Sequence, residues 1–498
     1  MHVDVAVIGA GIAGTMIARE LARYRLHVEV LEKEAEVSFG CTKASNSIIH
    51  ADAGPLGSNT SRFTARSHRL FDPLCDELAV PFERPGELFV AFDEDELGWF
   101  EQLVETAPEK DLEVISLTRD QVLDLEPAVS SDVLAGVLAP AGGLLYSFEL
   151  TIALFENAVQ NGVRFRFDTQ VVGARQCTPA HSCIELRTST GPVRASYVVN
   201  ASGVRAGEVA RMLGDDSFES WGERGERMVL DQRCNGLVTH IVDRSNIAAV
   251  IAPTLHGNVF LGRWDARNER GDERTVTTSS GIEGILREAQ RVIPAIERRD
   301  MIRAFSGVWA VNSRGDQIVE ASPSCPRLVN VCLIPPGVTI APAVAEEVVG
   351  ILDDIGLVLE PKEDFEPRRE PIPDFSEMTD DERTAIIERD PRYGRVVCRC
   401  ETVTEGEIVE AIRRGARTLD GVKYRVRAGM GRCQGGFCGP RVMNILAREL
   451  GLDLAEVTKT GGDSWLGKPR MWDGCEPRSS GERVAASEHV GYGGQDGK

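Results

Sequence analysis

The sequence is short of cationic charge, and of lysine above all. Among 498 residues there are 8 Lys and 48 Arg against 77 Asp plus Glu, a formal net charge of −21. That balance argues against a nucleic-acid binder, whose affinity comes largely from basic patches on the phosphate backbone. Long apolar runs are missing too. None approaches the roughly 18 residues of a membrane span, and the best candidate, 348–359, is split by Asp353 and Asp354. No basic leader or cleavage site is read at the start, so a cytoplasmic protein without a transmembrane segment is expected. Cysteine is dilute, 12 in 498, which excludes a disulfide scaffold. In a reducing compartment, clustered cysteines then read as metal or redox sites. With 42% hydrophobic residues the chain is too apolar for a disordered acidic protein, and its length predicts about two to four domains.

What is present begins with a β-α-β unit. Val3 to Ile8 is a short apolar strand, and Gly9, Gly11 and Gly14 follow in G-x-G-x-x-G spacing. A helical period then runs from Ile12 to Arg23, and a second strand, His27 to Leu31, ends at the acid Glu32. Gly9 permits the tight turn, Gly11 lets the backbone approach a pyrophosphate, and Gly14 lets the helix pack on the strand. The helix N-terminus offers free N–H groups to phosphates. Glu32 lies 18 residues after Gly14, near the spacing of an acid that binds a ribose 2′-OH. Together these features predict a dinucleotide site, without choosing between NAD and FAD.

Further along, nucleotide-type text alternates with insertions. The first insertion carries β-like runs at Glu87 to Phe92 and Leu134 to Ala139 around a helix near Glu94 to Glu105. The second spans Asp215 to Arg303. The expected fold class is α/β: a Rossmann-like dinucleotide-binding domain (about 1–84, 144–214 and 304–355), which the resemblance described next makes FAD-binding, interleaved with an α+β substrate domain (about 85–143 and 215–303). A Pro-rich charged stretch, 356–395, reads as an extended linker. A small helical four-cysteine domain follows at 396–457, then a loose tail at 458–498.

The stretches Gly40 to His50, Val199 to Gly203 and Pro336 to Pro342 resemble FAD-dependent oxidoreductases of the D-amino-acid oxidase and glycerol-3-phosphate dehydrogenase superfamily. The resemblance covers most of residues 1–355. It implies FAD contacts from Gly9, Gly11, Gly14, Glu32, Lys33, Thr42, Lys43, Ser45, Asn46, Ser47, Val171, Ala201, Gly203, Gly337, Val338 and Thr339. It also places His50 at the active site, either as the base or substrate-orienting group or as a partner of the flavin edge. Many relatives carry a substrate-binding Arg shortly after the Phe305-Ser306-Gly307 position. Here Trp309 stands there, so the anion clamp is expected at Arg314 or is missing, with Arg66 and Arg263 as further candidates. The departure puts glycerol 3-phosphate itself in doubt.

Four cysteines are packed into one segment: Cys398-x-Cys400, then Cys433-x4-Cys438 within a Gly-rich run. Thr404 and Glu407 form a capping box for a helix between the pairs, and Pro440 opens a last helix. Structural Zn also takes four thiolates, although its sites favour C-x2-4-C pairs. The segment resembles the [2Fe-2S] domain of bacterioferritin-associated ferredoxin, which implies an iron–sulfur cluster on Cys398, Cys400, Cys433 and Cys438. Cys41, Cys75, Cys177, Cys183, Cys234, Cys325, Cys332 and Cys475 show no ligand spacing and read as small hydrophobes, except Cys41, which falls in the flavin stretch.

A flavin beside a cluster implies a dehydrogenase that oxidises a C–OH or C–N bond of a small polar metabolite and passes electrons to a partner subunit or a quinone. The glycerol-3-phosphate or 2-hydroxy-acid type comes first, and the amine, opine or proline type second. A third reading is an electron-relay subunit whose partner holds the working site. Any membrane association is expected only through a partner.

Overall fold

The computed structural model describes residues 2–176, 183–244, 249–263, 271 and 273–467. They fall into two compact units. The first takes the chain to Leu31, then Val37–Val163 and Gln170–Glu370; the second takes Glu32–Glu36, Arg164–Thr169 and the chain from Pro371.

The first unit holds two sheets. The nucleotide-type sheet runs Ile318–Ala321, Leu328–Cys332, Gly191–Asn200, His2–Ile8, Val28–Leu31, and its central pairings are parallel. Val3, Val5, Ala6 and Val7 are all buried, the continuous apolar run of a strand covered on both faces. The helices Ile12–Leu21, Ser147–Gln160 and Gly337–Asp354 pack together beside it. The second sheet runs Met301–Asn312, Ser220–Leu230, Val259–Arg263, Ala249–Pro253, Ile241–Arg244, Glu87–Ala91, Ala135–Ala139, Ile115–Thr118. All its pairs are antiparallel except Ile241–Arg244 with Glu87–Ala91. The helix Ser279–Val292 lays Ile282, Ile285, Leu286, Ala289 and Val292 on this sheet, the i, i+3, i+4 stripe of an amphipathic helix.

Three boundaries differ from those read in the sequence. Residues 301–312 complete the second sheet, pairing with Ser220–Leu230 along its length, so the nucleotide part does not resume at 304. An apolar alternating run looks the same in either sheet, and its partner is a tertiary choice. The 356–395 stretch is not simply extended: Asp380–Arg389 is a helix closed by a Thr379–Glu382 capping box. Residues 458–467 are not a loose tail. Thr458 bridges Trp465, Thr458 O and Lys459 O accept the Leu419 and Asp420 amides, and Lys459 pairs with Asp420. The remainder of that tail lies outside the described residues.

The second unit is built on helices Glu405–Arg413, Leu419–Val426 and Gly439–Leu450 around Ile408, Ile412, Val422, Val442 and Leu446. The predicted capping box forms: Glu407 Oε2 accepts the Thr404 amide at 2.7 Å. Cys75, Cys325 and Cys332 are buried free thiols, as expected of small hydrophobes. Cys183, by contrast, is disulfide-bonded. Pairing depends on a Cα separation that sequence spacing does not report. Cys177 and Cys475 lie outside the described residues.

Candidate active site and cluster site

At the nucleotide loop, Gly9 has φ +103°, and an added Cβ would stand 2.5 Å from Ala201 O. A Cβ on Gly14 would stand 1.9 Å from Gly9 O, so helix and strand meet only because both residues are glycine. The helix Ile12–Leu21 has no side-chain cap at Gly11 and no acid in its first turn. Thr42 Oγ1 accepts the Ile12 amide at 3.1 Å. Beside this loop Ser38 is buried, its amide bonds Ala10 O, and its Oγ has no partner among the described residues. Close backbone, a glycine at the helix start and an orphaned buried hydroxyl fit a pyrophosphate. We expect Gly14→Ala to purify with less than about a tenth of the normal FAD content, because the loop must open to admit the methyl group. Full FAD loading would refute this.

The other predicted contacts are placed as follows. Glu32 directly follows Val28–Leu31 and accepts the Glu34 amide at 2.9 Å, while Lys33 pairs with Glu34. Lys43 lies over the Phe39 ring. Val171 opens the strand Val171–Gln176, Ala201 is buried, and Gly203 has φ +60° in the turn after Gly191–Asn200. Gly337, Val338 and Thr339 form the first turn of Gly337–Asp354, which has no side-chain cap.

His50 is held on every side. Its amide donates to Thr339 Oγ1 at 3.1 Å, and Nδ1 meets Glu87 Oε1 at 2.8 Å. Asn46 Nδ2 lies 3.2 Å from Nε2. Ser45 Oγ accepts the Ser47 amide, and Asn46 Oδ1 accepts that of Ile48, so the Ser45–Ser47 turn orients Asn46. Glu87 is fully buried, and its second oxygen accepts the Ala51 amide at 2.7 Å. Nδ1 therefore carries the proton that Glu87 accepts, and the lone pair falls at Nε2. Burial alone would lower the His50 pKa. The Glu87 charge and hydrogen bond outweigh it, Asp243 adds to them, Arg227 opposes, and the result is raised above the ordinary value. Asp243, two residues along the strand beside Glu87–Ala91, has a carboxylate oxygen mutually within 4.8 Å of His50 and Glu87.

Trp309 is buried in the strand Met301–Asn312. Its ring lies across Gly225, where an added Cβ would come within 2.0 Å of it. Arg227, two residues on, stacks its guanidinium 5.4 Å from the ring centroid. Gly307 admits the Thr42–Ala44 turn, since its Cβ would stand 2.6 Å from that of Ala44. Cys41, His50, Arg227 and Asp243 lie deep in the protein yet keep solvent-accessible surface, so they line a cleft. Burial lowers the Arg227 pKa to about 10, with Cys41 opposing, which leaves a cation at neutral pH. Burial also raises Cys41 to about 11, leaving a neutral thiol.

Arg314, one expected place for the clamp, has protein partners of its own. Arg314 is in a turn, pairs with Glu320 at 2.9 Å and donates to Ser217 O. Both partners belong to its own surface neighbourhood, where a turn residue pairs most cheaply. Arg66 pairs with Glu346 and Glu347, and the Arg263 side chain lies outside the described residues. Sequence reading missed Glu87, Asp243 and Arg227. The available signal was charge in strands otherwise destined for burial: Glu87 opens ELFVA, and Asp243 sits in IVDR.

In the second unit the four sulfurs form two pairs. Cys398 is in hydrogen-bond reach of Cys438, and Cys400 of Cys433. No three of the four lie mutually within 4.8 Å. A tetrahedral Zn with bonds of about 2.3 Å would bring all of them to about 3.8 Å from one another, whereas a two-iron cluster takes two thiolates per iron. The Cys398 pKa is lowered to about 6, first by the Cys438 thiol and then, against burial, by the amides of Gly429, Glu401 and Cys400. The Phe437 amide leads the lowering at Cys433. Gly429 and Gly435 have φ +98° and +85°, conformations that glycine adopts freely and that turn amides toward sulfur. Cys438 also sits at the start of Gly439–Leu450, so that helix's positive end faces the ligands.

A glycine-cradled nucleotide loop, an oriented histidine in a cleft and a two-by-two thiolate set together define an iron–sulfur flavoprotein oxidoreductase. The profile of the FAD dependent oxidoreductase family matches residues 4–351, and that of the BFD-like [2Fe-2S] binding domain matches residues 396–448. The chain belongs to the FAD dependent oxidoreductase family and carries a C-terminal [2Fe-2S] domain. It is 40% identical over 473 residues, 93% of this chain and 98% of the relative, to a glycerol 3-phosphate dehydrogenase of Caloramator mitchellensis. It is 23% identical, over 97% of this chain and 95% of the relative, to one subunit of the anaerobic glycerol-3-phosphate dehydrogenase of Escherichia coli (strain K12). Its fold resembles the FAD-bound, dithionite-reduced L-alpha-glycerophosphate oxidase of Mycoplasma pneumoniae, with TM-score 0.69 and 22% identity over 74% of this chain and 98% of that one. Among the described residues no helix is long and apolar enough to cross a membrane.

Proposed function

We propose that the protein oxidises the secondary alcohol of a three-carbon phosphate ester, glycerol 3-phosphate or a close relative, and passes the electrons through its cluster to a partner subunit. The observation that carries this reading is the His50–Glu87 pair set in one cleft with the buried cation Arg227. Bound FAD supplies a hydride acceptor, and the cluster a one-electron outlet. His50 Nε2 takes the hydroxyl proton, while Glu87 fixes the tautomer and supports the imidazolium that results. Asn46 Nδ2, which meets the Nε2 lone pair at 3.2 Å, gives it up to the substrate hydroxyl. Arg227 replaces the arginine whose place Trp309 fills: it enters from the neighbouring strand, and its charge meets the phosphate.

The similarity to a glycerol 3-phosphate dehydrogenase at 40% identity supports the substrate despite Trp309. Relatives that are themselves named as single subunits of a larger enzyme support a partner. We place the protein in the cytoplasm, at a membrane only through that partner. The test is anaerobic bleaching of the holoenzyme's flavin by glycerol 3-phosphate, by 2-hydroxy acids and by amino acids. Glycerol 3-phosphate is expected to bleach it, and Arg227→Met to raise the KM for this ester about 100-fold with a smaller change in kcat. Bleaching by amino acids alone would replace this reading with an amine dehydrogenase. No bleaching by any would make the chain a relay subunit.

A further inference from the structure

Among the described residues, Asp243 stands in the cleft with no hydrogen bond to its carboxyl, yet it lies deep in the protein and keeps accessible surface. Its accessible surface, with no hydrogen-bond partner among the described residues, leaves the carboxyl open to a group that enters the cleft. The groups around it narrow what that is. Glu87, from the neighbouring strand, already spends both oxygens on His50 and Ala51. His50 turns Nδ1 to Glu87, and Arg227 is the cation of the same cleft.

We propose that Asp243 is a specificity-determining residue that binds a second hydroxyl of the substrate, on the carbon next to the one oxidised, so that the site selects a vicinal-diol phosphate. This rests on the function proposed above and names the part of the substrate that the phosphate and the reacting alcohol leave undefined. The geometry suits it. Oxygens of Asp243 and Glu87 and a His50 ring nitrogen lie mutually within 4.8 Å, so the Asp243 carboxyl stands beside the imidazole that meets the reacting alcohol, within reach of a hydroxyl on the next carbon. The electrostatics suit it as well. Burial, then the Glu87 charge, hold the Asp243 carboxyl well above the ordinary carboxylate range, with His50 opposing. A neutral carboxyl offers one donor and one acceptor, the complement of a hydroxyl. A 2-hydroxy acid would bring a second anion against Glu87, and an ammonium would find no full negative charge on Asp243.

The test compares two substrates on the holoenzyme by anaerobic stopped-flow flavin reduction. One is glycerol 3-phosphate. The other is 2-hydroxypropyl phosphate, which keeps the phosphate and the secondary alcohol but lacks the terminal hydroxyl. The wild type is expected to favour glycerol 3-phosphate by about 30-fold in kcat/KM. Asp243→Ala is expected to reduce that preference to within about threefold, by losing on glycerol 3-phosphate rather than by gaining on the other ester. Asp243→Asn keeps a donor and an acceptor and is expected to retain most of the preference, which a purely structural role would not predict. No preference in the wild type, or an undiminished one in Asp243→Ala, would overturn the inference. If Asp243→Ala does not retain FAD, the comparison of wild type with Asp243→Asn still decides: a lost preference in Asp243→Asn counts against it. Failure of both esters to bleach the flavin, with bleaching by another substrate class, would refute the proposed function and this inference with it.

Discussion

Glu87→Gln is expected to slow anaerobic flavin reduction about 100-fold with FAD still bound. The carboxylate accepts from both His50 Nδ1 and the Ala51 amide. An amide presents only one oxygen, so its NH2 must oppose one of these donors in a fully buried place. If it opposes Nδ1–H, the imidazole flips tautomer and Nε2 loses its lone pair. The pH profile separates this from a general loss of structure. In the proposed mechanism His50 acts as base only when neutral, and its pKa is raised. The wild-type rate should therefore fall as pH drops through a value above about 6.5. Removing the Glu87 charge lowers the His50 pKa, so the acid limb of Glu87→Gln should lie at lower pH than in the wild type. His50→Asn should cost about tenfold or more and remove that limb. An unchanged rate in either variant would take the pair out of the mechanism.

Cys433→Ser should abolish the cluster. Cys433, like Cys400, is exposed, whereas Cys398 and Cys438 belong to the apolar core of the second unit, so its loss disturbs packing less than that of either core cysteine. The expected result is loss of the reduced-cluster electron paramagnetic resonance signal and a fall of more than about tenfold in protein-bound iron. Bleaching of the flavin by substrate should stay within about twofold of wild type, while multiple turnover with an external one-electron acceptor falls. Bound zinc in the wild type, with no iron signal, would sink the two-iron assignment. So would an intact signal in the variant.

Both predictions bear on how much of the molecule can be read before its fold is known. Gly9, Gly11 and Gly14 announce themselves because their role is local: each is needed for a turn or a close approach within some thirty residues of chain. The Thr404–Glu407 capping box is legible for the same reason. The Cys398-x-Cys400 and Cys433-x4-Cys438 pairs are legible as a group, but the pairing of Cys398 with Cys438 and Cys400 with Cys433 is not. That two-by-two pairing suits a cluster with two thiolates on each iron. Residues 301–312 mislead because a strand's sequence records its burial and not its neighbour.

The sequence by itself determined the dinucleotide loop, the four-thiolate set and the position of His50, because each is carried by residues close together along the chain. The tertiary structure alone decided what surrounds His50. Glu87, Asp243 and Arg227 come from three strands of the second sheet, and only the register of those strands turns their side chains into one cleft. It also decided the fate of Arg314 and Trp309. A charge next to the expected position in sequence was drawn to a surface acid, and one 82 residues earlier was brought against the tryptophan ring. Strand pairing acts across long chain separations, and local spacing carries no record of it.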